Sequence, residues 1–236
     1  MRYVITFSFF FALLVSNGQE KEIDIHYVVD YSIPSERNTT VDTISIGFNK
    51  DGKYLWTNYN KLALSLAKSL IKDKQKDYES ATGHIIYDTE QGVITLLFEL
   101  GNNSIFFNLD LDSFLPSSEF STDDDESLDL ITEDTGETIR VLDKDAQVYL
   151  MFPSNSPNDI VSMAVNTDYQ VNNAVIFKRF FEMAFQKTGF KDQFAPDMPN
   201  GLIMKIFEND KSMIEAIKVV DKKKTIKINY SFKITE

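Results

Sequence analysis

Two long stretches of alternating residues, one near each end of the chain, constrain the fold more than any other feature. In residues 225–234 every second side chain is apolar and the rest are polar, and residues 22–33 repeat the pattern with mostly polar residues between the apolar ones. Such alternation is typical of a β-strand with one buried and one solvent-exposed face. Strands of this kind at both ends indicate a large antiparallel sheet with an apolar face that must be covered.

Between these ends, further alternating runs and two helix-like segments complete the pattern. Alternation predicts more strands within residues 43–57, 83–112, 138–165 and 201–220, with turns at 49–52, 143–145 and 221–223. Apolar residues at helical spacing predict amphipathic helices over 61–76 and 172–189. We therefore predict an α+β fold, in which about nine strands form one large curled antiparallel sheet, an open half-barrel, wrapped around the two amphipathic helices.

The start of the chain has the composition of an export signal. A short basic start is followed by almost wholly apolar residues at 3–15 and by small residues at 16 and 18, as in a cleaved secretory signal peptide. We therefore predict a signal peptide at 1–18, a single domain at 19–236 and no membrane span. Because the chain contains no cysteine, we expect a bacterial protein, periplasmic or secreted, of a Gram-negative envelope.

Acidic residues are concentrated in the middle of the chain. The formal net charge is −12, and residues 77–137 contain no lysine or arginine. Nucleic-acid binding needs a basic surface, so this charge argues against it. Residues 112–138 combine a proline, several serines and threonines and the acidic run 123–126, and we interpret them as a solvated acidic loop.

No residue pattern argues for catalysis. The sequence has no nucleophile elbow and no glycine-rich phosphate loop, and its two histidines, His26 and His84, lack metal-ligand spacing. Residues 108–119 have part of the spacing of a calcium loop, but their strand-like flanks favour an edge strand. We therefore predict that the protein is not an enzyme and that it uses no metal and no cofactor.

The closing segment resembles a known family. Residues 199–207 lead from a small-residue turn into a strand, residues 213–216 follow in a polar hairpin, and residues 226–234 form a last strand with a Ser-Phe step at 231–232. This order is similar to the end of the LolA-like half-barrel proteins, which include periplasmic lipoprotein carriers and uncharacterised exported bacterial proteins. The step at 135–139 looks like the second group. The resemblance implies a half-barrel that holds a lipid or a lipidated protein.

Aromatic residues are abundant, with nineteen Phe, ten Tyr and one Trp. Core packing is the ordinary interpretation. A curled sheet only partly filled by two helices would instead leave an apolar cavity suited to an acyl chain. The side chains predicted to line such a cavity are Tyr27, Tyr31, Trp56, Phe98, Phe107, Phe177, Phe180, Phe181 and Phe232.

Two hypotheses for the function follow. In the first, a monomeric exported protein holds a hydrophobic ligand, a lipid or a lipoprotein, in its apolar concave face. In the second, the core is filled, and the protein is an envelope interaction module that binds another protein through the acidic loop 112–138.

Overall fold

The computed structural model describes residues 20–34, 41–70, 81–100, 103–110, 130–177, 197–209 and 211–229. Within these ranges eleven strands form one antiparallel sheet. They are β1 (Glu20–Pro34), β2 (Val41–Phe48), β3 (Tyr54–Thr57), β4 (Thr82–Asp88), β5 (Val93–Leu100), β6 (Asn103–Asp110), β7 (Leu130–Val141), β8 (Lys144–Pro153), β9 (Val161–Asn166), β10 (Leu202–Glu208) and β11 (Lys211–Asn229). Helix α1 (Asn60–Leu70) lies between β3 and β4, and residues 173–177 are also helical.

The two ends of the described chain meet in the middle of the sheet. The strand order is β6-β5-β4-β3-β2-β1-β11-β10-β9-β8-β7, so β1 and β11 are central neighbours and β6 and β7 are the edges of an open sheet. Ion pairs join the two central strands across their polar face, between Glu22 and Lys227 at 2.7 Å and between Asp24 and Lys223 at 2.7 Å. The alternating stretches near the chain ends therefore form the strand pair that connects the two halves.

The predicted fold class is wrong. The structure is almost entirely antiparallel sheet and is not a sheet wrapped around two amphipathic helices. The physical reason is that strands are buried on both faces: the consecutive residues Ile85 and Ile86 of β4 are both buried and belong to different clusters. A twisted sheet this large coils, and its own strands then cover apolar surface that the prediction gave to helices.

The central strands β1 and β11 are one place where strands cover an apolar surface of the same sheet. Residues 20–25 of β1 and 224–229 of β11 pair with each other beyond the end of β2, and we call them the terminal arm. Lys21 of the arm lies 3.3 Å from Asp88 of β4, although β1 and β4 are three strand positions apart, or about 14 Å in a flat sheet. The arm is therefore folded over the face of β3 and β4.

Two predicted boundaries are also wrong. Residues 130–138, assigned to the acidic loop, belong to β7, whereas residues 112–129 lie outside the described chain. The predicted turn at 221–223 does not form, because β11 continues without a break and pairs with β1 on both sides of it. Register shifts opposite Ile25/Tyr27 and Asp30/Tyr31 absorb the extra residues of β11 as bulges.

Helix α1 follows its predicted amphipathic pattern in the described part. Ala63 on its apolar side is fully buried beside β4 and β5, and the exposed Lys61 and Ser65 lie on its polar side. The Asn60 side chain accepts a hydrogen bond from the Gly83 amide at 2.7 Å, which ties the start of the helix to β4. Of the second predicted helix, 172–177 are described and 173–177 are helical, whereas 178–189 lie outside the described residues.

A segment between β9 and β10 covers the other side of the sheet. Residues 167–177, here called the covering segment, run from β9 to the β2–β3 turn, where the Asn172 amide donates to the Lys50 carbonyl at 3.3 Å. Tyr169, Val171 and Ile176 are buried in one cluster with residues of β1, β8, β9 and β10. None of the described helices is both long and apolar enough to cross a membrane.

Candidate functional site

Tyr27 and Tyr31, two of the predicted ligand-binding residues, lie under the covering segment. Tyr27 is 4% exposed and meets the Tyr169 ring edge-on at 5.1 Å between centroids. Tyr31 is 2% exposed, and its hydroxyl donates to the Ile203 carbonyl at 2.7 Å. Burial raises the pKa of the Tyr31 hydroxyl, so this group is a neutral hydrogen-bond donor in the core.

Trp56 lies in a different cluster, beneath the terminal arm. Its side chain is 6% exposed and packs with Ile23 and Ile25 of β1 and Ile226 of β11. The His84 ring stacks on the indole at 5.7 Å, and the Lys224 ammonium lies 3.9 Å from the ring centroid. Among the described residues, the Trp56 indole therefore packs against other side chains of the same protein.

Phe98 and Phe107 belong to a third cluster, next to helix α1. Phe98 is fully buried and meets the Phe107 ring at 6.3 Å in an edge-to-face arrangement. Phe177 is half-buried at the end of the described helical residues and packs against the cluster that contains Tyr27 and Tyr31. Phe180, Phe181 and Phe232 lie outside the described residues.

The predicted lining residues are thus not assembled on one described surface. Tyr27, Tyr31 and Phe177 share one cluster, whereas Trp56 lies in a second and Phe98 with Phe107 in a third. Ligand binding by any of them stays a prediction.

The edge strand β7 carries an ordered acidic bulge that the sequence interpretation missed. Three residues of β7, 135–137, lie between the paired residues Asp134 and Thr138 and stand opposite the single residue Val148 of β8. The Asp134 carboxylate accepts hydrogen bonds from the Gly136 amide at 2.8 Å and from the Gln147 side chain at 2.6 Å. These two bonds, the Gly136 bond foremost, lower the pKa of Asp134. The signal available in the sequence was Gly136 within a strand-like run, since an isolated glycine often marks a bulge.

Further bonds fix the shape of this bulge. The Thr135 hydroxyl donates to the Val148 carbonyl at 2.8 Å and accepts from the Glu137 amide at 3.0 Å. Gly136 has φ of +71°, a conformation that favours glycine. The carboxylates of Glu133, Asp134 and Glu137 are exposed, so the bulge and the residue before it present negative charge at an edge of the described sheet.

The β7–β8 hairpin turns through two residues with strained backbones. Leu142 and Asp143 have φ of 52° and 59°, which a tight hairpin requires but which leucine tolerates poorly. Leu142 is also exposed, at 40%. Residues 143–145 were the predicted turn, one position later than the observed one.

Replacing Leu142-Asp143 by Asn-Gly is expected to raise the free energy of unfolding by about 1 kcal/mol, because both residues accept positive φ more readily. Urea denaturation of the double variant measures this gain. Leu142→Val is the control: a β-branched residue at the same φ should lower stability instead. An unchanged stability in both variants would contradict the assignment of strain to this turn.

The described residues contain no group of three or more His, Asp or Glu side chains placed to hold a metal ion. His26 accepts a hydrogen bond on Nδ1 from the Lys50 amide at 3.2 Å and serves the β2–β3 turn. Asn108, from the calcium-like spacing, accepts from the Thr95 hydroxyl at 2.8 Å, and positions 112 and 119 lie outside the described ranges.

Comparison with known proteins does not assign a family. No family model and no curated protein matches the chain. Two solved structures of PNGF-II, in the C2 and P21 space groups, are similar at TM-scores of 0.37 and 0.38 with 16% identity. The match covers 86% of this chain and 28% of those chains. Likeness at this level carries no argument about function, and the resemblance to LolA-like proteins stays a prediction.

Proposed function

We propose that this protein is a non-catalytic interaction module that binds a basic protein partner along its edge strand β7. The observation that carries the proposal is the ordered acidic bulge at 134–138, whose charges are exposed and whose backbone is fixed by hydrogen bonds. A fixed charged surface loses little conformational entropy on binding, and its field attracts oppositely charged partners.

The packing of the aromatic residues supports this choice over the lipid hypothesis. Each described member of the predicted lining set contacts other side chains of the same protein: Tyr27 meets Tyr169, and Phe98 meets Phe107. A side chain already packed on its neighbours must be displaced before it can contact an acyl chain, and this displacement costs free energy. The predicted signal peptide at 1–18 supports the proposal that the protein acts outside the cytoplasm.

Neutralising Glu137 of the bulge and Glu133, the residue before it, tests the proposal. The double variant Glu133→Gln/Glu137→Gln is expected to capture about tenfold less partner from bacterial envelope extracts than the unmodified protein, and added salt should weaken capture by the unmodified protein. Asp159→Asn/Asp168→Asn makes the same change of charge at exposed positions outside β7 and should leave capture unchanged.

Equal capture by both double variants would contradict a role for the bulge. Native mass spectrometry of the purified protein provides the second arm of the test, because a co-purified acyl species would favour the lipid hypothesis instead. We expect the mass of the protein alone.

A further inference from the structure

The side chain of His84 adjoins Trp56, the residue that the terminal arm covers. His84 lies on β4, and its ring stacks on Trp56 of β3 at 5.7 Å with the planes inclined by 25°. Lys224 of the arm lies over the same indole, with its ammonium 3.9 Å from the ring centroid. The Nδ1 atom of His84 is buried and has no hydrogen-bond partner among the described residues.

Protonation of His84 is therefore costly in this arrangement. Whichever tautomer the neutral ring adopts, the imidazolium must carry a proton on Nδ1 as well as on Nε2, and within the described part of the chain Nδ1 has no acceptor. A second cation would also stand close to Lys224. An unpartnered buried donor and a like-charge neighbour both disfavour the charged ring.

The charged groups around His84 act in opposite directions. Burial lowers the pKa of His84 from its ordinary 6.5 and Lys224 lowers it further, whereas Glu99 on β5 raises it. Farther along the same interface, Lys21 of the arm pairs with Asp88 of β4 at 3.3 Å and lies over the Tyr54 ring of β3 at 5.1 Å. Both contacts belong to the arm and must also break when the arm is released.

We propose that His84 is a pH-sensitive latch that holds the terminal arm over β3 and β4 when it is neutral and releases it when it is protonated. Release separates Lys224 from Trp56 and exposes the apolar cluster of Ile23, Ile25, Ile86, Ile226 and Ile228. The step is a simple proton uptake from solvent and requires no other reactant.

The direction of the pH dependence follows from linkage. The folded protein, with its lowered His84 pKa, binds a proton less readily than the opened or unfolded chain, where the value is 6.5. The latch therefore contributes its full stabilisation above pH 6.5, and this contribution is lost as the pH falls through the lowered pKa.

The fluorescence of Trp56 tests the latch, because this is the one tryptophan of the chain. As the pH falls from about 7 to 5, the emission of the full chain is expected to shift to longer wavelength and amide exchange in 20–25 to accelerate. His84→Phe keeps a ring on the indole but cannot take up a proton, and should abolish the shift. His26→Gln removes the other histidine and should retain it.

Charge variants move the midpoint in predicted directions. Lys224→Met should raise the midpoint of the fluorescence change, and Glu99→Gln should lower it. A shift that persists unchanged in His84→Phe would overturn the proposal, as would constant emission of the unmodified protein over this range. If His84→Phe does not fold, an NMR titration of the unmodified protein decides: a His84 midpoint at or above 6.5 would equally overturn it.

Discussion

Replacing Phe98 by alanine is expected to lower the free energy of unfolding by about 3–5 kcal/mol. Phe98 belongs to β5, and its ring is fully buried next to helix α1, where it shares a cluster with Ala63 and Leu96. Removing it leaves a cavity that this close packing prevents from collapsing: even a hypothetical Cβ on Gly83 would lie 2.9 Å from the Phe98 ring. Chemical denaturation measures this loss, provided that the slope of the unfolding free energy against denaturant concentration is the same in both proteins.

The same experiment separates a filled core from an open cavity. Phe98→Leu retains most of the buried volume and should cost about 1 kcal/mol. A side chain that lines an open, ligand-accepting space has fewer partners to lose, so its truncation would be mild. A loss below about 1 kcal/mol for Phe98→Ala would therefore contradict the packing described around α1 and strengthen the lipid hypothesis.

Replacing Gly201 by alanine is expected to destabilise the protein by about 2–6 kcal/mol, as backbone strain adds to steric overlap. Gly201 has φ of +140°, and an added Cβ would lie 2.6 Å from both the Asn166 carbonyl oxygen and the Val165 Cγ1. Its amide donates to the Val171 carbonyl at 2.9 Å, and its carbonyl accepts from the Asn173 side chain at 2.9 Å. The change should therefore loosen the covering segment, with faster amide exchange there.

Gly92→Ala is the matched control for this prediction. Gly92 also has a positive φ, +65°, but apart from its chain neighbours no atom of the described residues lies within 4 Å of the added Cβ. Gly92→Ala should therefore lower the free energy of unfolding only by the cost of the backbone strain, about 1 kcal/mol. Equal losses in the two variants would mean that the close approach at Gly201 is not what holds the covering segment.

Local patterns were sufficient to predict most elements. The alternation around Ile25 and Ile226 identified the central strands because a period of two is a property of neighbouring residues and needs no partner to be recognised. The 3.6-residue spacing around Ala63 identified α1 for the same reason. The hairpin at 49–52 was predicted from its Asn-Lys-Asp-Gly sequence. Gly52 has φ of +74°, a conformation that favours glycine, so the turn observed there needs the glycine that the sequence provides.

The errors arose where a partner overrides local preference. The sequence Asp-Lys-Lys at 221–223 is typical of a turn, yet β1 pairs with β11 on both sides of a bulge there, and Asp24 forms an ion pair with Lys223 at 2.7 Å. The acidic residues before Thr138 are poor strand formers, but β8 supplies the ladder, and Gln147 supplies a hydrogen bond to Asp134. The acidic bulge of β7 was not predicted for the same reason, because it depends on the pairing of β7 with β8.

The sequence by itself determined that this chain forms a large antiparallel sheet with alternating terminal strands, because alternation is written residue by residue. Only the tertiary structure decided where the aromatic residues go. The coiling of the sheet brings the terminal arm onto Trp56 and His84, while the covering segment brings Tyr169 onto Tyr27. These contacts join residues far apart in the chain, so no local period encodes them, and twist and bulges along β1 and β11 set them instead.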